Sequence, residues 1–128
     1  MTFARTQGLD QLEVMGSFQP NGSSAVTLPR GKGFTVARTG VGVFVVTLNA
    51  KFPGNIVAVD ASKSTDSTDL TAYNIHCGNF VQPTASAKGS FTIYHVVAGA
   101  LADMTASGAL RRINFRGTLA TSDNASAR

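Results

Sequence analysis

The chain has one cysteine, Cys77, no tryptophan and a single glutamate, Glu13, among 128 residues. A lone cysteine excludes an intramolecular disulfide framework and any metal site built from several thiolates. Charged residues make up only 14%, where about 25% is usual for a soluble domain. No apolar run approaches the roughly 18 residues that cross a bilayer as a helix. The opening stretch, MTFARTQGLDQLEV, carries one arginine but no apolar segment, so no secretory signal is expected in it. A protein made in a reducing cytoplasm is the expectation.

What is present points to β structure. The chain holds 25 serines and threonines and 13 glycines, and 43% of its residues are apolar. Helical bundles need Glu, Lys and Leu on their faces, so this is not a bundle composition. It is not a disordered composition either, because Val, Ile, Leu and Phe are plentiful and the net charge is only +4. A length of 128 residues is that of one domain with a real core. Four Lys and seven Arg outnumber six Asp and one Glu. They are scattered, and only Arg111, Arg112 and Arg116 cluster.

Along the chain the hydrophobic period is two. Strands are expected at 12–20, 34–39, 41–49, 56–62, 70–78, 90–97 and 111–121, with an eighth at 24–28. The most helix-favouring window, 98–110, is interrupted by Gly99 and Gly108 and reads as a loop with at most one helical turn. Thr39-Gly40 reads as a tight hairpin, with Gly40 supplying a positive φ. Asn21 to Ser24, Pro53-Gly54, 63–69 and 82–89 read as turns and loops. In the last strand Ile113, Phe115 and Leu119 share one face, and Arg112, Asn114, Arg116 and Thr118 share a polar outer one. Short strands without a βαβ rhythm give an all-β fold: an antiparallel two-sheet sandwich, jelly-roll-like, with little or no helix. The expected organisation is an N-terminal arm at 1–10, one sandwich domain at 11–122 and a tail at 123–128. Phe34, Val36, Phe44, Val46, Ile56, Phe91, Ile93, Ile113, Phe115 and Leu119 are the expected core.

The residues that could carry chemistry are few. His76 and Cys77 are neighbours in a strand, so they point to opposite faces and make no catalytic pair. His95 is in phase with Phe91 and Ile93 and points to the core or an interface. A pairing of Cys77 with His95 stays open, against the blander reading of a buried thiol and a satisfied histidine. Asp66 and Asp69 share a polar loop, but their spacing matches no calcium loop, and self-capped turns explain it better. Gly31-Lys32-Gly33 runs into a strand rather than a helix, unlike a phosphate-binding loop. No catalytic residue, metal or cofactor is expected, and the protein reads as not an enzyme. Arg111, Arg112 and Arg116 suit an acidic partner or a solvated, aggregation-resistant face.

The series GSFQPNGSSAV (16–26), GKGFTVARTGVGVFVVTLNAKFPGNIVAVDAS (31–62) and RRINFRGTLATSD (111–123) resembles small structural proteins from the morphogenesis regions of tailed phages. In these, a G-F-T-V-x-R-T-G-x-G-x-[FY]-x-V-T-L hairpin precedes a K-[FY]-P turn, and the chain closes on an R-I-N-F strand and a short polar tail. The matching positions here are 33–48, Lys51-Phe52-Pro53 and 112–115. Nothing at 64–88 matches, and no catalytic residue comes with the likeness. It implies a capsid decoration, or cement, protein on the outer surface of the virion, made in the host bacterial cytoplasm and bridging subunits of the major capsid protein.

A homo-oligomer is expected, a trimer before a dimer, because exposed sheet edges need covering. Candidate capsid or subunit contacts are Phe3, Arg5 and Leu9 in the arm, with Arg111, Arg112 and Arg116. The alternative is a tail or head-fibre β module with a host-surface or glycan-binding role, although Tyr73 and Tyr94 with no Trp give little for sugars to stack on. A nucleic-acid partner is not expected, because Arg112, Asn114 and Arg116 lack interleaved aromatics. Nor is a membrane partner.

Overall fold

A computed structural model of the chain describes residues 11–49, 55–64, 73–84, 86–104 and 112–120. Nine strands and no helix occur among them: β1 (Gln11–Asn21), β2 (Ser24–Gly31), β3 (Phe34–Gly40), β4 (Val43–Leu48), β5 (Asn55–Ser64), β6 (Tyr73–Val81), β7 (Ser90–Val97), β8 (Ala100–Leu101) and β9 (Arg112–Ala120). One sheet has the order β2-β1-β9-β5. The other has the order β3-β4-β7-β6, with β8 also paired to β7, and every pairing is antiparallel. The fold is therefore the expected all-β two-sheet sandwich. Its pairs nest, β1 against β9 and β4 against β7, as in a long hairpin wrapped on itself. That nesting gives the jelly-roll-like character.

All eight expected strands form. The ninth, β8, falls in the window read as a loop. There Ala98 (φ 53°) and Gly99 (φ 83°) make a two-residue turn that returns the chain along β7. Residues 105–110 of that window, positions 65–69 of the expected loop and 70–72 of the expected strand 70–78, the expected Lys51-Phe52-Pro53 turn, and the arm and tail expected at 1–10 and 123–128 lie outside the described residues, while Lys63 and Ser64, read as loop, belong to β5.

The core is built on phenylalanine. Phe115 of β9 meets Phe34 edge-on at 4.8 Å between ring centroids, Phe91 at 5.7 Å and Phe18 at 6.3 Å. Phe18 in turn lies 5.1 Å from Phe44. Rings from both sheets thus interlock, and offset or edge-on pairs contribute about 0.5–1.5 kcal/mol each beyond their burial. Nine of the ten expected core residues are buried, and Val36 is half-buried against the cluster. Val14, Phe18, Leu48 and Met104 complete the core. Phe34 can reach across because Gly16 and Gly31 leave room for its ring. A Cβ on Gly16 would lie 2.3 Å from Phe34 Cζ, and one on Gly31 would lie 2.4 Å from the Met15 carbonyl.

The β3–β4 connection corrects the sequence reading. The turn is Val41-Gly42, and Gly42 rather than Gly40 has the positive φ, 67°. Gly42 lies against the chain that follows β8. A Cβ there would meet His95 O, Ala102 O and Ala102 N, all within 2.8 Å. Its N–H donates to Asp103 Oδ1 at 3.0 Å, and its carbonyl accepts from His95 N at 2.8 Å. Asp103 also takes a two-pronged bond from Arg38, Nε to Oδ1 at 2.9 Å and Nη2 to Oδ2 at 2.8 Å. This clamp ties β3 to a segment 65 residues away, and the Arg38 guanidinium holds the Asp103 carboxyl below its usual range.

Candidate functional site

Two surfaces concentrate the side chains that could meet a partner. The first is the outer face of the β2-β1-β9-β5 sheet. Register places Asp60 opposite Arg116, Ser62 opposite Asn114 and Ser64 opposite Arg112 across β5–β9, while Met15 and Ser17 face Arg116 and Asn114 from β1. A shallow depression of about 260 Å³ is lined by Met15, Asp60, Ser62, Asn114 and Arg116, with Met15 58% exposed. A second one beside it adds Ser17 and Arg30.

The three candidate arginines part company here. Arg111 lies outside the described residues, as do Phe3, Arg5 and Leu9. Arg116 is exposed and stands 3.7 Å from Asp60, a solvent-screened pair worth little to stability. Arg112 sits on the outer face, as alternation requires, yet it is only 5% exposed, so the expectation of a solvated side chain there is corrected. The cause is β2, which irregular pairing bends over it. Arg112 Nε donates to Ser17 Oγ at 2.9 Å and Nη2 donates to the carbonyl of Leu28, a residue at φ 48°. Its Nη1 is buried without a partner, and burial beside Arg30 disfavours the guanidinium charge.

Arg112 is thus a strut inside the protein, and Arg116 is the probe of the surface. Arg112→Lys, which cannot reproduce the fork, is expected to destabilise the fold by about 1–3 kcal/mol. Arg116→Lys should change stability by less than about 0.5 kcal/mol. Urea titrations of the two variants check this contrast.

The second surface is the edge where β5 and β6 meet. Each strand carries a bulge, at Ile56/Ala58 in β5 and at Gly78/Val81 in β6. Bulges re-aim side chains, and here Val57, Phe80 and Val81 stand 58%, 48% and 46% exposed. The two strands are clipped together by Gln82. Its Oε1 accepts from Ile56 N at 2.6 Å and its Nε2 donates to Ile56 O at 3.2 Å. One side-chain amide so occupies both hydrogen-bonding positions that a neighbouring strand would take at that residue. Nothing in the sequence period signals this clip.

The chemistry-bearing residues fall as follows. His76 is exposed and Cys77 half-buried on opposite sides of β6. Cys77 pairs with Ile93 and Ile75 with His95, so Cys77 and His95 share the inner face on a diagonal. Both His95 ring nitrogens are already engaged, Nδ1 with Ala102 O at 2.7 Å and Nε2 with Lys63 Nζ at 3.2 Å. Burial pushes the Cys77 thiol above its usual range, which holds it protonated and weakly nucleophilic. In the Arg30-Gly31-Lys32-Gly33 stretch, Arg30 and Gly31 end β2, and Lys32-Gly33 makes the crossing to β3 in the other sheet. The loop with Asp66 and Asp69 lies outside the described residues. Among the described residues no group of three His, Cys, Asp or Glu side chains is placed to hold a metal, and no helix is long and apolar enough to cross a membrane. No family model, curated protein or solved structure matches the chain.

Proposed function

We propose that this protein is a structural virion protein that decorates the outer surface of a tailed-phage head and stabilises the shell by bridging neighbouring major capsid subunits. The observation that carries the reading is the β5–β6 edge. Two bulges turn Val57, Phe80 and Val81 outward along one border of the sandwich, and apolar side chains set into solvent along a sheet edge suit contact with another protein. The hairpin, K-F-P and R-I-N-F series of the sequence supports the same reading.

A protein that binds only the assembled lattice stabilises that lattice by mass action. Weak contacts suffice if one oligomer touches several subunits at once. We propose a homo-oligomer for this reason, a trimer before a dimer, made in the host bacterial cytoplasm and assembled onto the outer capsid surface.

Quantitative mass spectrometry of purified virions of the encoding phage tests the reading. Hundreds of copies per particle are expected for a head decoration. A handful of copies would move the assignment to a tail or head-fibre module, and complete absence from the particle would overturn the virion assignment itself.

A further inference from the structure

The end of the sandwich at the β3–β4 turn holds a polar cluster, built around a buried histidine, that the interaction surfaces do not use. His95 of β7 is 2% exposed. Lys63, from β5 in the opposite sheet, places Nζ 3.2 Å from His95 Nε2 and 4.1 Å from the centre of the Tyr73 ring. Tyr73 of β6 stacks on the imidazole at 6.2 Å. An ammonium has only hydrogens to offer, so Nε2 is the acceptor, and the ring proton sits on Nδ1 and is donated to Ala102 O at 2.7 Å. This pairing makes His95 a neutral imidazole of one tautomer. It is also a polar connection between the two sheets.

We propose that His95 is an acid-operated latch between the sheets: neutral, it accepts Lys63 across the sandwich, and protonated, it has no acceptor to give and sets a second cation against the ammonium, so this end of the molecule opens. Among the described residues the groups facing the ring are Lys63 from β5, Tyr73 from β6 and Asp103 from the segment after β8. Cys77 lies one pair further along β6, and Arg38 of β3 reaches Asp103. Asp103 favours the imidazolium but is already held by Arg38 and by Gly42 N. Burial is the largest influence on the ring and disfavours its charge. The Ala102 bond works against this and Lys63 adds to it, and the net effect lowers the His95 pKa from its usual 6.5.

The direction of the pH effect follows. The unfolded chain takes up a proton near pH 6.5 that the folded ring refuses until lower pH. Stability is therefore full above that value and falls between it and the lower, folded value. One proton corresponds to at most tenfold per pH unit in the opening equilibrium. Asp103, whose pKa is lowered, loses its contribution only as pH falls below its usual 3.8 toward the folded value, so the two windows are separate.

Amide hydrogen exchange from pH 7.5 to 5.0, corrected for intrinsic rates, tests the latch in the full chain. Opening of peptides over β5 and β7–β8 is expected to rise up to tenfold per pH unit below 6.5. In His95→Asn, which keeps a donor for Ala102 O but cannot titrate, this dependence should vanish. In His76→Asn, which alters the other histidine, it should persist. In Lys63→Met the dependence should shrink, because the ring protonates with less opposition, and this variant decides the matter if His95→Asn does not fold. An unchanged slope in His95→Asn or in a folded Lys63→Met, no slope in the wild type, or an imidazole nitrogen spectrum with the proton on Nε2 would each overturn the proposal.

Discussion

Phe115→Ala is expected to lower the unfolding free energy by about 3–5 kcal/mol, read from the midpoint of a urea titration at constant slope. The ring is 5% exposed and touches three other phenylalanines, two of them from the opposite sheet. Truncation removes the buried ring and leaves a void bordered by Phe18, Phe34 and Phe91, all rigid rings on separate strands. Such a site collapses poorly, because each neighbour is fixed by its own pairing. Phe34 is also seated against the backbone of Gly16 and Gly31, already filling the space that Cβ atoms there would take, so it cannot shift far to fill the void. Domains are stable by only about 5–15 kcal/mol, so the variant is expected to sit near the edge of foldability. A loss below about 1 kcal/mol would mean that the two sheets are not joined through this ring.

Gly42→Ala is the second large effect, expected at about 3 kcal/mol or more. Two terms combine. A non-glycine residue held at φ 67° costs about 1–3 kcal/mol, and an added methyl forced into packed atoms costs a similar amount. The atoms it would strike are backbone, His95 O and Ala102 N and O, which cannot rotate aside. Gly22→Ala provides the comparison. Gly22 has nearly the same φ, 60°, but nothing lies within 4 Å of its missing Cβ, so only the same strain term of about 1–3 kcal/mol applies. Melting curves of both variants separate conformational strain from close approach. Equal losses would show that Gly42 is there for its dihedral angle alone.

These two residues mark how far the sequence could be read. Phe115 stands out because Ile113, Phe115 and Leu119 alternate with polar residues, and a period of two places them inward. The same rule reaches Val14 and Phe18 in β1 only with difficulty, since Gly16 and Pro20 interrupt the alternation. Leu48 is in phase with Phe44 and Val46 and was open to the same rule. Met104 follows no period at all. In the stretch Thr39-Gly40-Val41-Gly42 either glycine could serve the turn. What selects Gly42 is the passage of Ala102 across it, a contact between residues 60 positions apart that no local pattern encodes.

The candidate surfaces divide in the same way. Alternation assigns Arg112 and Arg116 to the outer face and is right about the face. It cannot see that β2 folds the Leu28 carbonyl, 84 residues away, over one arginine and leaves the other in solvent. His95 was legible as an inward histidine from its phase with Phe91 and Ile93. Its partner was not, because Lys63 lies at the end of a strand in the other sheet and reads from sequence as part of a polar loop. The bulges that expose Val57 and Phe80 are likewise register shifts, which become visible only when two strands are laid side by side.

The Gln82 clip gives the β5 border an unusual kinetic character. A sheet edge covered by another strand is uncovered only by unzipping a ladder, one bond after the next. At Ile56 the cover is a single side-chain amide with two hydrogen bonds, on an exposed residue. Exposed side chains change rotamer in picoseconds to nanoseconds. Once those two bonds part, rotation of the Gln82 side chain leaves the Ile56 N–H and C=O uncovered, with no change in the pairing of β5 with β9. Presenting this edge at Ile56 takes the parting of two hydrogen bonds and a rotation about side-chain bonds, rather than the unzipping of a ladder.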